Sequence, residues 1–397
     1  MIDRYTAAAR ADVPPFHVMD LIAAATERAR THGDVLDLVA GQPSTGAPAA
    51  VNAEAMRLLG SGDPLGYTPA IGLIELREAI AELYRSRYDL AVGADDVVVT
   101  TGSSGGFLLA FLAAFDTGAR VAIARPGYPC YRNVLAALGC EVVEVDTGPA
   151  TRFQPTVEQL DDVHAQRPLD GLVVASPANP TGTMLRADEL AAIARWCAEH
   201  GVQLVSDEIY HGVEYGLLDG GDRARCAWET SREAVVFGSF SKYFSMTGWR
   251  LGWMLAPVHL RRAVDVLTGN FSICPPTLAQ RAAIAAFTPA ALAELDGHVA
   301  RYAHNRTVLL DGLRRLGLDR LAPADGAFYA YADVGHLTDD SMSYARDLLA
   351  RTGVALASGI DFDTRDGGRH LRFSFAGTAA TITAALDRLD GALTPAR

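Results

Sequence analysis

The chain has 397 residues, 49% of them hydrophobic and 21% charged, with 47 acidic side chains against 35 basic ones and a formal net charge of −12. That length supports two domains with separate cores, and that composition excludes global disorder. The acidic balance, with arginines scattered and not clustered with aromatics, argues against a nucleic-acid surface, so an anionic ligand must be held by local groups.

Residues 1–20 carry Arg4, Arg10 and Asp12 and no apolar core of signal-peptide length, and the longest apolar stretch, 107–115, is too short to span a bilayer. A cytoplasmic protein with no membrane partner is expected. The segment before Gly41 is too short to be a domain and is expected to pack on the smaller of two. From about residue 95 to 255, short β-branched runs at 97–99, 121–124, 172–175, 202–205 and 235–237 alternate with longer amphipathic stretches. Such an alternation signals βαβ units and a parallel sheet covered on both faces. Within 188–200, Leu190, Ile193, Ala194 and Cys197 recur at helical spacing, and Gly201 follows as a C-cap. Beyond about residue 285 come a long helical run at 290–316, strand patterns at 328–332 and 371–375 and a last helix, which read as a smaller α+β domain. Cys130, Cys140, Cys197, Cys226 and Cys274 form no CxxC pair and read as reduced thiols. The ten histidines include no HxxxH pair, and no metal site is expected.

The strand patterns run into polar or glycine-rich turns: Thr100-Thr101-Gly102-Ser103-Ser104, Pro126-Gly127-Tyr128, Ser176-Pro177-Ala178-Asn179-Pro180, Ser206-Asp207-Glu208-Ile209-Tyr210 and Ser239-Phe240-Ser241-Lys242. In an open parallel sheet the C-terminal strand ends share one edge, where ligands bind. Lys242 is the only lysine, and the other 34 basic residues are arginine. Only the lysine can lose its proton and attack a carbonyl, so it reads as a nucleophile.

Gly102, Ser103 and Ser104 precede an apolar helical run and would aim amides and hydroxyls at a phosphate, although a Gly-Ser turn before a helix is also common capping. Ser239 and Arg250 flank Lys242, and Arg250 would add a charge-assisted fork to that phosphate. Asp207, at the end of a buried strand, needs a cation to stay ionised unless it serves as a helix cap. A protonated pyridine nitrogen is such a cation, the arrangement found with pyridoxal phosphate. Tyr128 is either an exposed turn aromatic or the stacking face for that ring.

The segments Asn179-Pro180-Thr181-Gly182, Ser206 to Tyr210, and Ser239 to Lys242 continuing to Thr247-Gly248-Trp249-Arg250-Leu251-Gly252 resemble, in order and spacing, pyridoxal-phosphate-dependent aminotransferases of fold type I, class I/II, in particular the aspartate aminotransferase group. The resemblance runs from Gly41 to the region of Arg372. It implies an α/β fold, with a large domain built on a mostly parallel seven-stranded sheet covered by helices and a smaller α+β domain. The corresponding division is an N-terminal segment 1–45, a large cofactor-binding domain 46–285 and a small domain 286–397.

The resemblance also implies roles for individual residues. Lys242 would tether the cofactor and shuttle the substrate proton, Asp207 would pair with the ring nitrogen, Tyr210 and Asn179 would donate to the ring hydroxyl, and Tyr128 would stack on the ring. Gly102, Ser103, Ser104, Ser239 and Arg250 would bind the phosphate. Tyr67 would reach the phosphate of a neighbouring subunit, implying a homodimer. Arg372 would fork onto the substrate α-carboxylate, with Asn179 and the Gly41 backbone beside it. His211 reads as a packing residue.

The implied reaction is ping-pong amino transfer between an L-amino acid and a 2-oxo acid. Aspartate with 2-oxoglutarate is the default pair, and alanine, branched-chain or aromatic donors stay open because 13–19 and 268–274 are apolar enough to suit them. A carbon-sulfur β-lyase shares the fold. A pyridoxal-binding regulator is disfavoured, because only about 40 residues precede the matched region and they carry no basic helix-turn-helix pattern.

Overall fold

The computed structural model describes residues 6–216 and 223–393. Its first half contains α1 (His17–His32), β1 (Leu36–Asp37), α2 (Ala49–Gly60), α3 (Ile74–Tyr88), β2 (Val97–Thr100), α4 (Gly102–Ala114), β3 (Arg120–Arg125), α5 (Pro129–Ala137), β4 (Glu141–Asp146), α6 (Val157–Gln166), β5 (Gly171–Ala175) and α7 (Ala187–His200). Then follow β6 (Gln203–Asp207), β7 (Val235–Ser239), β8 (Gly252–Leu255), α8 (Val258–Phe271), α9 (Thr277–Ala283), α10 (Pro289–Arg315), β9 (Tyr329–Asp333), α11 (Ser341–Thr352), β10 (Val354–Ala355), β11 (Ala357–Ser358), β12 (His370–Ser374) and α12 (Ala379–Leu389).

Seven strands form one sheet in the order β2-β8-β7-β6-β5-β3-β4. All are parallel except β8, which runs antiparallel to both β2 and β7. Because β2 and β7 share a direction opposite to β8, the C-terminal ends of β2, β3, β5, β6 and β7 lie on one edge. The five turns singled out in the sequence therefore emerge together. The inner strands are buried along nearly their whole length, as expected of a parallel sheet covered on both faces. Helix α4 packs along β7 and β8, and Gly106 permits the close approach: a Cβ there would lie 2.7 Å from Phe237 Cε1. Phe107 and Phe111 of this helix are fully buried, each contributing roughly 1.5–3 kcal/mol of apolar burial.

The expected helices are present, with α7 closed by Gly201 at φ +66° and α10 spanning 27 residues. Two strands of the main sheet escaped the sequence reading, as did the two-residue strands β1, β10 and β11. β4 is a half-exposed edge strand, and β8 is a short run of Gly, Trp, Met and Leu lacking the β-branched residues that mark its neighbours. Beside the main sheet stands an antiparallel one in the order β11-β12-β9, with Arg372 of β12 between Ala357 and Tyr331. β1 pairs in parallel with β10, Leu36 opposite Val354, so the start of the chain is bonded to its C-terminal part. Among the described residues no helix is long and apolar enough to cross a membrane.

Candidate active site

A cavity of about 480 Å³ opens at the shared strand edge. Lys242, just past β7, reaches its wall half-buried and donates from Nζ to Gly41 O at 2.6 Å. Burial, with the Arg372 guanidinium nearby, pulls its ammonium down to about 8, although the Asp207 carboxylate opposes the shift. A substantial fraction of the amine is therefore neutral and nucleophilic near physiological pH.

Asp207 is the last residue of β6 and is 2% exposed. Its Oδ2 accepts from the Tyr131 hydroxyl and its Oδ1 from Ile209 N at 3.1 Å. Desolvation outweighs both bonds and raises the carboxyl to about 6. No regular helix follows Asp207, so it is not a helix cap.

On the opposite wall Arg372, also 2% exposed, donates from Nη1 to Asn179 Oδ1 and from Nη2 to Val39 O, both at 2.8 Å. Its guanidinium lies 4.4 Å from the Tyr329 ring centroid and 4.8 Å from that of Phe362. Arg372 Nε is buried without a partner, a donor left over inside the cavity wall. The Tyr210 and Tyr329 hydroxyls are 2.7 Å apart.

The third corner is the N-terminus of α4. Gly102 sits at φ +68°, which an L side chain resists, and a Cβ there would lie 2.5 Å from Arg250 Nη2. The Arg250 guanidinium thus covers the positive end of the helix dipole, with Ser103 and Ser104 on the cavity wall. Ser241 and Thr247 line the same corner. Ser239 does not: it is buried behind, its Oγ accepting from Ser241 N at 3.0 Å.

The model of the family described as aminotransferase class I and II matches residues 33–389. The chain belongs to that family. It is 61% identical over 389 residues to the valine–pyruvate aminotransferase of Mycobacterium tuberculosis, covering 98% of each chain. A crystal structure of an aminotransferase from Mycobacterium tuberculosis superposes with a TM-score of 0.95 at 61% identity, covering 98% of this chain and 99% of that one. The aspartate aminotransferase from Thermus thermophilus with maleate superposes at 0.91 and 32% identity, covering 98% and 100%. The protein is a pyridoxal-phosphate-dependent transaminase.

The donor set of this aminotransferase fits that cofactor: one amine for an aldehyde, a buried carboxylate in no ion pair among the described residues, and hydroxyls with a guanidinium at a helix N-terminus. Tyr128 lies half-buried on the wall, edge-on to Tyr131 at 5.5 Å. His211 is not on the wall. Tyr88 donates to its Nδ1 at 2.6 Å, its Nε2 donates to Ser176 O at 3.1 Å, and burial lowers it to about 3. Tyr67 stands 83% exposed, outside the cavity of its own chain.

The sequence reading missed Tyr131, Tyr329, Ser241 and Thr247. Tyr131 lies in the first turn of α5, three positions after Tyr128 in the residue run that follows β3, and that proximity was a usable signal. Tyr329 comes from β9 and carried no local signal.

Proposed function

We propose that this aminotransferase takes its amino group from a branched apolar amino acid, valine foremost, and delivers it to pyruvate. One observation carries the reading: Phe16, Val18, Met19 and Ile22 form an apolar wall in the same cavity as Arg372. Among the described residues of this chain that line the cavity the only arginines are Arg250 and Arg372, so this chain itself sets no second guanidinium beside the apolar wall for the distal carboxylate of aspartate. The 61% identical valine–pyruvate aminotransferase supports the same choice.

Bound pyridoxal phosphate supplies a ring that absorbs the charge left when the donor loses its α-proton. The residues of this chain do the rest. Lys242 Nζ would tether the cofactor and, once released, would take the proton from the donor α-carbon and return it to the former aldehyde carbon of the cofactor. Asp207 keeps a proton on the ring nitrogen, and that cation removes the cost of burying its carboxylate. Tyr210 and Asn179 hold the ring hydroxyl, and Tyr128 covers the ring face. Gly102, Ser103, Ser104 and Arg250 hold the phosphate, with Ser239 ordering the Ser241 amide behind them. Arg372, with Asn179 and the Gly41 backbone, orients the donor carboxylate.

The working unit is a cytoplasmic homodimer in which Tyr67 reaches the neighbouring phosphate. Exposed Tyr67, Met56, Leu59 and Phe271 support such an association. The domain division is 1–45, 46–285 and 286–397. The substrate reading is tested by titrating the holoenzyme with valine, alanine and aspartate while following loss of the lysine-bound cofactor absorbance. Valine should act at the lowest concentration and pyruvate should restore the band. Preference for aspartate would overturn the reading.

A further inference from the structure

Helix α1, which carries most of the apolar wall, has no side-chain cap of its own at its N-terminus. The residue before it is Phe16, whose side chain accepts nothing from the first amides. Those amides are satisfied from the far end of the chain. Asp361 Oδ1 accepts from His17 N at 2.9 Å and Oδ2 from Val18 N at 2.7 Å. Asp361 is 2% exposed, so a dry carboxylate grips the positive end of the helix at two points.

Asp361 and the residues after it also hold α5, the end of β3 and the cavity-lining Arg372. Its own carbonyl accepts from Arg132 Nη2 of α5 at 3.2 Å. Phe362 lies against the Arg372 guanidinium, and Asp363 accepts from Arg125 Nη1 at the end of β3 at 2.6 Å. A single peptide bond therefore separates the group that anchors the apolar wall from the ring that supports the carboxylate-binding arginine. The spacing between the wall and that arginine decides how large a side chain fits.

We propose that Asp361 is a positioning residue for donor selection, clamping the start of α1 so that Phe16, Val18, Met19 and Ile22 stand at a set distance from Arg372. The proposal rests on the apolar-donor reading above and adds the residue that makes the site selective.

The test is the half-reaction of Asp361→Ala and Asp361→Asn holoenzymes with alanine, 2-aminobutyrate, valine and leucine. For Asp361→Ala the half-saturating concentration of valine and leucine should rise about tenfold, while that of alanine moves by less than about threefold. Asp361→Asn keeps one good capping oxygen and should lose only about threefold in selectivity for the larger donors. An equal rise for all donors, a limiting rate that falls for all, or unchanged selectivity in both variants would overturn the proposal. If the alanine variant does not fold, Asp361→Asn decides alone, and unchanged selectivity then overturns it. The wild-type order of donors judges the substrate reading separately, because the role of Asp361 is read from variant-to-wild-type ratios across the series.

Discussion

Replacing Asp207 by Asn should make the cofactor-free enzyme more stable and the loaded enzyme nearly inactive. Burial raises this carboxyl from 3.8 to about 6. At about 1.4 kcal/mol per unit, the ionised side chain costs the empty fold about 3 kcal/mol. The raised folded value fixes the sign of the pH dependence. Between 3.8 and about 6 the folded state binds more protons than the unfolded one, so this group's contribution to stability falls as pH rises through that window. The cost is complete above it and absent below it. Asn carries no charge to desolvate and can still accept from Tyr131. With an unfolding entropy of roughly 0.8 kcal/mol/K for a chain of 397 residues, 3 kcal/mol corresponds to a melting temperature higher by about 4 °C. Thermal melts of both cofactor-free proteins from about pH 4 to about pH 7.5 should show the gap opening with pH. In the loaded enzyme the loss of the ring-nitrogen partner should lower kcat by about 10²–10³-fold. A variant that is less stable than wild type at the upper pH, or that shows a constant gap, would refute the reasoning and make Asp207 a structural acceptor.

Cofactor-free enzyme should capture added pyridoxal phosphate faster as pH rises through about 8, not 10.5, because burial and Arg372 favour the neutral amine; absorbance stopped-flow reads the inflection. Lys242→Arg keeps the charge yet should capture nothing, and residual turnover would remove Lys242 from the mechanism. Tyr131→Phe deletes the side-chain donor to Asp207 and should raise that carboxyl further in the cofactor-free enzyme, moving upward the pH window over which its melting temperature falls. An unmoved window would reduce Tyr131 to a packing residue.

The chemistry of one edge of the cavity was legible in the chain because each functional group sits within a few residues of a strand end. A β-branched run announces the strand, and the turn after it must lie at the C-terminal edge of a parallel sheet. Lys242, Asp207, Asn179 and Ser103 could be placed that way, and the antiparallel β8 did not disturb them because it leaves that edge intact. The opposite wall had no such rule. Tyr329 sits on β9, α1 lies near the start of the chain, and Asp361 follows it by more than three hundred positions without periodicity or motif. Only tertiary packing sets a carboxylate beneath the first turn of α1 and a ring against Arg372, since side chains that meet across the cavity share no local backbone geometry. The sequence by itself thus determined the cofactor and the reaction class. The tertiary structure decided the wall on which the donor side chain rests, because its position depends on how two distant segments dock.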